Sequence, residues 1–383
     1  MLLSFSVTNC RSFIDEQELK LCSKAKGVNT RYTLQSYKDN LVNRATCLFG
    51  ANGAGRGNLL RALEATVKFM RGDRQHSIFK VLEPHMGNSD SPSKAKLHFV
   101  YDELEHLYEL TIKDGVVEEE VLKVKRSSRY SKVFHVFEDE WIQPRNKGIQ
   151  PLSKTSLIEH MLDGQTSFID ASARINSKTA QRLTDYLKTY KFGLDNCGVS
   201  YIKSDAIDVF LDDPELLKVM SDIFKSSDFG VDSIIIETEN DKHRVIAKVA
   251  YGDKPDYADF PLRDIGSGAI TLFNILSVIL PVIRGGGVAV IKDMDQSLHS
   301  HLAEMIVNIF KDYQLGAASD AQLVCSVQHT AVMQTLTKQQ VVFVNKKDNK
   351  SEIYSISDFQ GVGNACGFEK AYLSGRFDAL PDL

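Results

Sequence analysis

The stretch GANGAGRGN, residues 50–58, constrains this chain more than any other, because it joins a short apolar run, residues 46–49, to a segment of helical spacing. Leu60, Leu63, Val67 and Met70 recur on one helical face, which predicts a helix over residues 58–70 leaving a glycine-rich turn. In that setting the N–H groups of the turn and of the helix start form a cradle for phosphate. The cradle residues are Gly50, Asn52, Gly53, Ala54, Gly55, Arg56, Gly57 and Asn58. Set against G-x-x-x-x-G-K-[ST], Arg56 stands where a lysine reaches the outer phosphates, and Gly57 stands where a hydroxyl holds magnesium. Arginine keeps the charge but presents a planar fork in place of a point charge. Glycine supplies no metal ligand at all.

With 383 residues, 43% hydrophobic and 25% charged, the chain reads as globular, with room for one large domain or two ordinary ones. Strand patterns dominate the first third, including a hairpin centred on Asp114-Gly115. SLIEHMLD, KTAQRLTDYLKTY and DPELLKVMSDIFK are amphipathic and predict a helical insertion over residues 151–227. Strands interleaved with helices return afterwards, so the expected organisation is an α/β core of two lobes, residues 1–150 and 228–383, flanking the insertion. The apolar run of residues 269–283 is interrupted by Thr271, Asn274, Ser277 and Pro281 and is too short for a bilayer. It reads as a buried helix, and no membrane partner is expected. The opening MLLSFSVTN alternates like a strand and lacks the layout of a signal peptide.

A formal net charge of −4 gives no whole-molecule attraction for nucleic acid. The basic stretch KVKRSSRYSK, residues 123–132, could touch phosphate, although a solvated hairpin face explains it as well. Six cysteines show neither zinc spacing nor a disulfide pattern, so a reducing cytoplasm is expected and no metal site is assigned. Asp232, Glu237 and Glu239 fit a hairpin better than a nuclease centre.

NCRSF in the first strand, GANGAGRGNLLRAL, DMDQSLHSHL and KAYLSGRFDALP together resemble the AAA-type, ABC-like ATPases of the abortive-infection family. That family is related to the overcoming-lysogenisation-defect, RecF and SMC ATPases. The resemblance implies an α/β, ABC-type P-loop ATPase head that dimerises around ATP and regulates a nuclease or toxin partner in defence against phage. It also implies roles for further residues. VAVI followed by KDMDQSLH puts Lys292 at the magnesium-holding aspartate and Asp293 at the glutamate that activates water. A slipped reading, with Asp293 as the metal aspartate, needs an extra residue in the strand. RDIGSGAITLF resembles the signature that meets the opposite protomer's γ-phosphate, through Ser267 and Gly268, with an ordinary serine helix cap as the plain alternative. In LVCSVQHT, Gln328 falls on the switch histidine, with His329 next door.

Asp293 is one methylene shorter than glutamate, about 1.5 Å, and a displacement on the order of 1 Å can cost about 100-fold in rate. The expectation is therefore a nucleotide-binding or structural subunit of a defence complex, homodimeric or larger, with ATP hydrolysis absent or severely impaired. ATP is the candidate cofactor, and Mg²⁺ binding is doubtful. Two alternatives stand beside it: an active ATPase in which Arg56 and Asp293 suffice, and a DNA-binding scaffold like the RecF and SMC heads.

Overall fold

The computed structural model describes residues 1–23, 34–38, 40–73, 78–138, 140–141, 158, 161–193, 201–240, 242–251, 256–312, 320–362 and 367–380. Its centre is a six-stranded sheet in the spatial order β12 (Tyr190–Gly193), β16 (Gly287–Ile291), β17 (Ala321–Ser326), β6 (Ala45–Phe49), β18 (Val341–Lys347) and β19 (Lys350–Ser355). The first five run parallel and the last is antiparallel to its neighbour. The inner strands β16, β17 and β6 are buried along their whole length because both faces of the sheet are covered.

Side chains that alternate along each strand feed two separate cores. Cys47, Phe49, Ala289, Ile291, Leu323, Cys325 and Phe343 face helices Ser204–Asp212, Pro214–Ser226, Ser267–Gly285 and Ser300–Asp312. Leu48, Val288, Val290, Val324, Val342 and Val344 face helix Arg56–Met70. Beyond that helix lies a seven-stranded antiparallel sheet, ordered β11 (Glu140–Trp141), β10 (Tyr130–Phe137), β9 (Val116–Lys125), β8 (Leu104–Lys113), β7 (Ser93–Tyr101), β1 (Leu2–Thr8) and β2 (Gln17–Lys20). Its β8–β9 turn places Asp114 and Gly115 at φ 51° and 78°, the left-handed pair that a two-residue hairpin needs. Asp102 and Glu103 make the same kind of turn between β7 and β8 without any glycine, which hides it in the sequence.

The expected insertion over residues 151–227 needs correction. Tyr190–Gly193 is an edge strand of the central sheet, paired in parallel with Gly287–Ile291. Helices Phe168–Arg174 and Lys178–Leu187 pack against helix Arg56–Met70, whereas Ser204–Asp212 and Pro214–Ser226 join the core on the other face. A four-residue strand reading YKFG has too little alternation to declare itself. Half of SLIEHMLD lies outside the described residues. Helix Ser267–Gly285 is long and apolar enough to cross a membrane by length and composition, yet 72% of its most apolar window is buried in the core it builds.

The motif NCRSF is a structural knot. Asn9 adopts φ 49° and its side-chain amide donates to the carbonyls of Asn88 at 3.0 Å and Ser91 at 2.7 Å, while its oxygen accepts from the His85 N–H at 3.2 Å. Arg11 donates through Nε to the Val81 carbonyl at 3.0 Å. The loop before β7 is thereby tied to the first strand.

One buried carboxyl clamps the helical segment to the antiparallel sheet. Glu120 on β9 accepts from Tyr108 Oη at 3.0 Å, Ser167 Oγ at 2.7 Å and the Phe168 N–H at 2.8 Å. Burial nevertheless lifts its pKa from 4.5 to about 7. With the folded value above the unfolded one, stability from this group is complete below about 4.5 and is lost as pH rises through about 7. Glu120→Gln should abolish that slope, worth on the order of 3 kcal/mol, in denaturant midpoints compared across that pH window.

Candidate functional site

The cradle is positioned by two close approaches of backbone. Gly50 follows β6 at φ 145°, and a Cβ there would meet the Val344 carbonyl oxygen at 2.1 Å. Gly55 precedes helix Arg56–Met70 at φ 113°, where a Cβ would lie 2.6 Å from Ser351 Oγ and 2.8 Å from Ser12 Oγ. Only glycine fits either place. Ser351 Oγ donates to the Ala54 carbonyl at 2.6 Å, and Asn58 donates through Nδ2 to Ser12 Oγ at 3.2 Å. The N-terminal knot therefore braces the underside of the loop. Gly53 faces open space, Asn52 and Gly53 are exposed, and the first helical turn carries no acidic residue.

Arg56 does not reach into the cradle mouth. It is buried, and its Nη1 donates to the Val327 carbonyl at 2.6 Å, just past the end of β17. Strand order explains this, because β17 lies between β6, which leads into the cradle, and β16, which leads into the acidic turn. Its charge also offsets part of the rise that burial imposes on the Tyr372 hydroxyl in the C-terminal helix Phe368–Leu373.

Lys292 directly follows β16 and continues the alternation of Val288 and Val290 toward helix Arg56–Met70. A Cβ at Gly57 would meet Lys292 Cε at 3.0 Å and Cδ at 3.4 Å, so the lysine stem crowds the place where a side chain at 57 would stand. Its Nζ lies 3.4 Å from Asp293 Oδ2. Asp293 is held at φ 47° by Ser326: its N–H donates to Ser326 Oγ at 2.7 Å, and Ser326 Oγ donates to its Oδ1 at 3.2 Å.

Asp295 is buried and caps the segment after β17, accepting from the N–H groups of Gln328 at 2.7 Å and His329 at 2.5 Å. Gln328 is exposed, and His329 donates through Nε2 to the Leu298 carbonyl at 3.1 Å. A simple exchange of roles between the two thus finds no support in the geometry. At the signature-like segment the helix cap is Gly266, and Ser267 is exposed and makes no capping bond. The ordinary serine cap is not what the structure shows. A Cβ at Gly268 would lie 2.9 Å from the Ser297 carbonyl oxygen, so this segment packs on the acidic turn.

Two readings set beside the main one in the sequence lose ground. In the basic stretch, Lys123 pairs with Glu109 at 2.5 Å and Lys125 with Glu105 at 3.0 Å, which neutralises much of that face. Asp232, on the first strand of an ordinary hairpin, pairs at 2.7 Å with Lys225 of the preceding helix, and no cluster of three or more metal-binding side chains occurs among the described residues. Sequence reasoning missed Ser12, Ser326, Ser351 and the Val327 carbonyl. A serine closing the apolar run of β17 is the one visible hint of them.

The sequence profile of the AAA domain family, described as AbiEii toxin, type IV TA system, matches residues 45–326, well over half the chain. The chain belongs to this AAA family. No curated protein matches it by sequence. Among solved structures, the SMC head domain from Thermotoga maritima is similar over 92% of this chain and 98% of that one, at 12% identity and a TM-score of 0.45. The AAA fold as a rule binds ATP with Mg²⁺, so the cradle can be tested for both. Phosphate fits an open glycine turn at a helix start without acids. Magnesium does not fit, because the two positions that the resemblance gives to its protein ligands are Gly57 and Lys292, which carry no side-chain oxygen, and the lysine stem lies against the glycine.

Asp295 gives a direct test of the capping reading. Asp295→Ala should lower stability by about 2–3 kcal/mol in denaturant unfolding, because it strands two N–H groups. Asp295→Asn, which keeps one acceptor, should cost less.

Proposed function

We propose that this chain is a nucleotide-responsive subunit that does not turn ATP over at a useful rate and acts with a second protein in cytoplasmic antiviral defence. The observation that carries the reading is Lys292 lying against Gly57, which removes both handles on magnesium at once. Asp293, the candidate for activating water, is bound to Ser326 and faces Lys292. Gly50, Asn52, Gly53, Ala54, Gly55, Gly57 and Asn58 would hold phosphates, while Ser267 and Gly268, exposed and half-buried at a helix start, would meet those of a second copy. Gln328, exposed beside them, would line the joint in place of a switch histidine. The family's toxin–antitoxin designation supports a chain that works as one half of a pair. The partner is accordingly proposed as an effector, nuclease or toxin. The charge pairing at Lys123 and Lys125 argues against a DNA scaffold.

Purified protein should release phosphate from ATP no faster than a blank, and turnover that survives further purification establishes the active-ATPase alternative instead. Arg56→Lys, Gly57→Ser, Lys292→Asp and Asp293→Glu combined should raise hydrolysis, while each alone does little, since such groups act as a unit. Sedimentation should show dimers that require ATP. A monomer or dimer indifferent to ATP sinks the nucleotide-responsive half of the reading.

A further inference from the structure

We propose that the cradle takes its polyphosphate ligand without a divalent metal, with Lys292 as the resident cation; this rests on the nucleotide-binding reading above. The two departures at 57 and 292 are one steric unit. Gly57 is the residue that leaves room for the lysine stem, whose Cε and Cδ lie 3.0 and 3.4 Å from where a Cβ would stand.

Electrostatics point the same way. The ammonium sits by the start of helix Arg56–Met70, the positive end of its dipole, with no acidic residue in the first turn to offset it. A cation is least favoured there unless an anion arrives. The bond that restrains it is loose, since Nζ is 3.4 Å from Asp293 Oδ2 and both side chains are about one-quarter exposed, at 25% and 27%. Arg56, in contrast, is buried and committed to the Val327 carbonyl. Lys292 can therefore swing on its flexible stem toward phosphate oxygens at little cost. A divalent ion would need carboxylate or hydroxyl oxygens, yet position 57 offers none, Asp293 accepts from Ser326 through Oδ1, and Asp295 is engaged by two backbone N–H groups. The ligand class that follows is a free polyphosphate, on a nucleoside or alone, as opposed to its magnesium complex.

Calorimetric titration of the full chain with ATP and with inorganic tripolyphosphate, each in magnesium and in excess chelator, tests this. Affinity in chelator should equal or exceed that in magnesium, because the metal masks the charge that Lys292 reads. Lys292→Met should weaken binding in chelator by about tenfold or more, and Lys292→Arg should retain most of it. Gly57→Ser should weaken it too by crowding the lysine, with melting curves confirming that each variant is folded. Binding that requires magnesium, or a folded Lys292→Met that binds as well as the parent, overturns this inference and leaves the nucleotide-responsive reading standing. No heat with any ligand overturns both.

Discussion

Helix Arg56–Met70 is wedged between two sheets, and eleven of its fifteen residues are buried. Leu59, Leu60, Leu63, Val67, Phe69 and Met70 are each worth roughly 1.5–3 kcal/mol of apolar burial, so the wedge is fixed by packing on both sides. The start of a helix so held has no freedom to wander. The cradle is rigid because the segment it opens onto is immobilised, and the turn itself only has to follow.

From this wedge a short line of contacts crosses the top of the central sheet. Arg56 binds the Val327 carbonyl, and the next two N–H groups bind Asp295. Ser326, the residue before Val327, bonds Asp293, while the Ser297 turn rests on Gly268. Glu369 of the C-terminal helix accepts from Thr330 at 2.7 Å and Gln334 at 2.6 Å, which fastens the far side of the same segment. Residues 326–330 thus touch the cradle, the acidic turn and the chain end together. That strand end joins the cradle and the turn against the signature-like helix by direct contact.

Sequence made the local parts of this legible. The glycine loop, the helix that leaves it, the Asp114-Gly115 hairpin and the buried helix of Ser267–Gly285 all carry their reason within a few residues. The identities of Arg56, Gly57, Lys292 and Asp293 were legible too, though not where their side chains go. The destination of Arg56 depends on β17 being inserted between β6 and β16, a long-range pairing that no spacing rule encodes. The fit of Lys292 onto Gly57 is a matter of volume between distant segments. Tyr190–Gly193 joins the sheet because Gly287–Ile291 is there to receive it, and its own four residues say nothing of that.

Asp295 shows how a motif residue can be required by the fold, whatever chemistry it also serves. Its carboxylate works as a turn former, as Asn9 and Gly268 work as a knot and a spacer, and removing any of them would damage folding whether or not a phosphate bond is ever broken. Selection for a stable protein is enough to keep such letters in place. A scan that scores them reads ancestry and architecture, so an enzyme label transferred to a newly sequenced genome on their strength would rest on residues that the fold itself requires. Positions 57 and 292 carry a different kind of information, because there the Lys292 stem lies against Gly57 at the cradle itself.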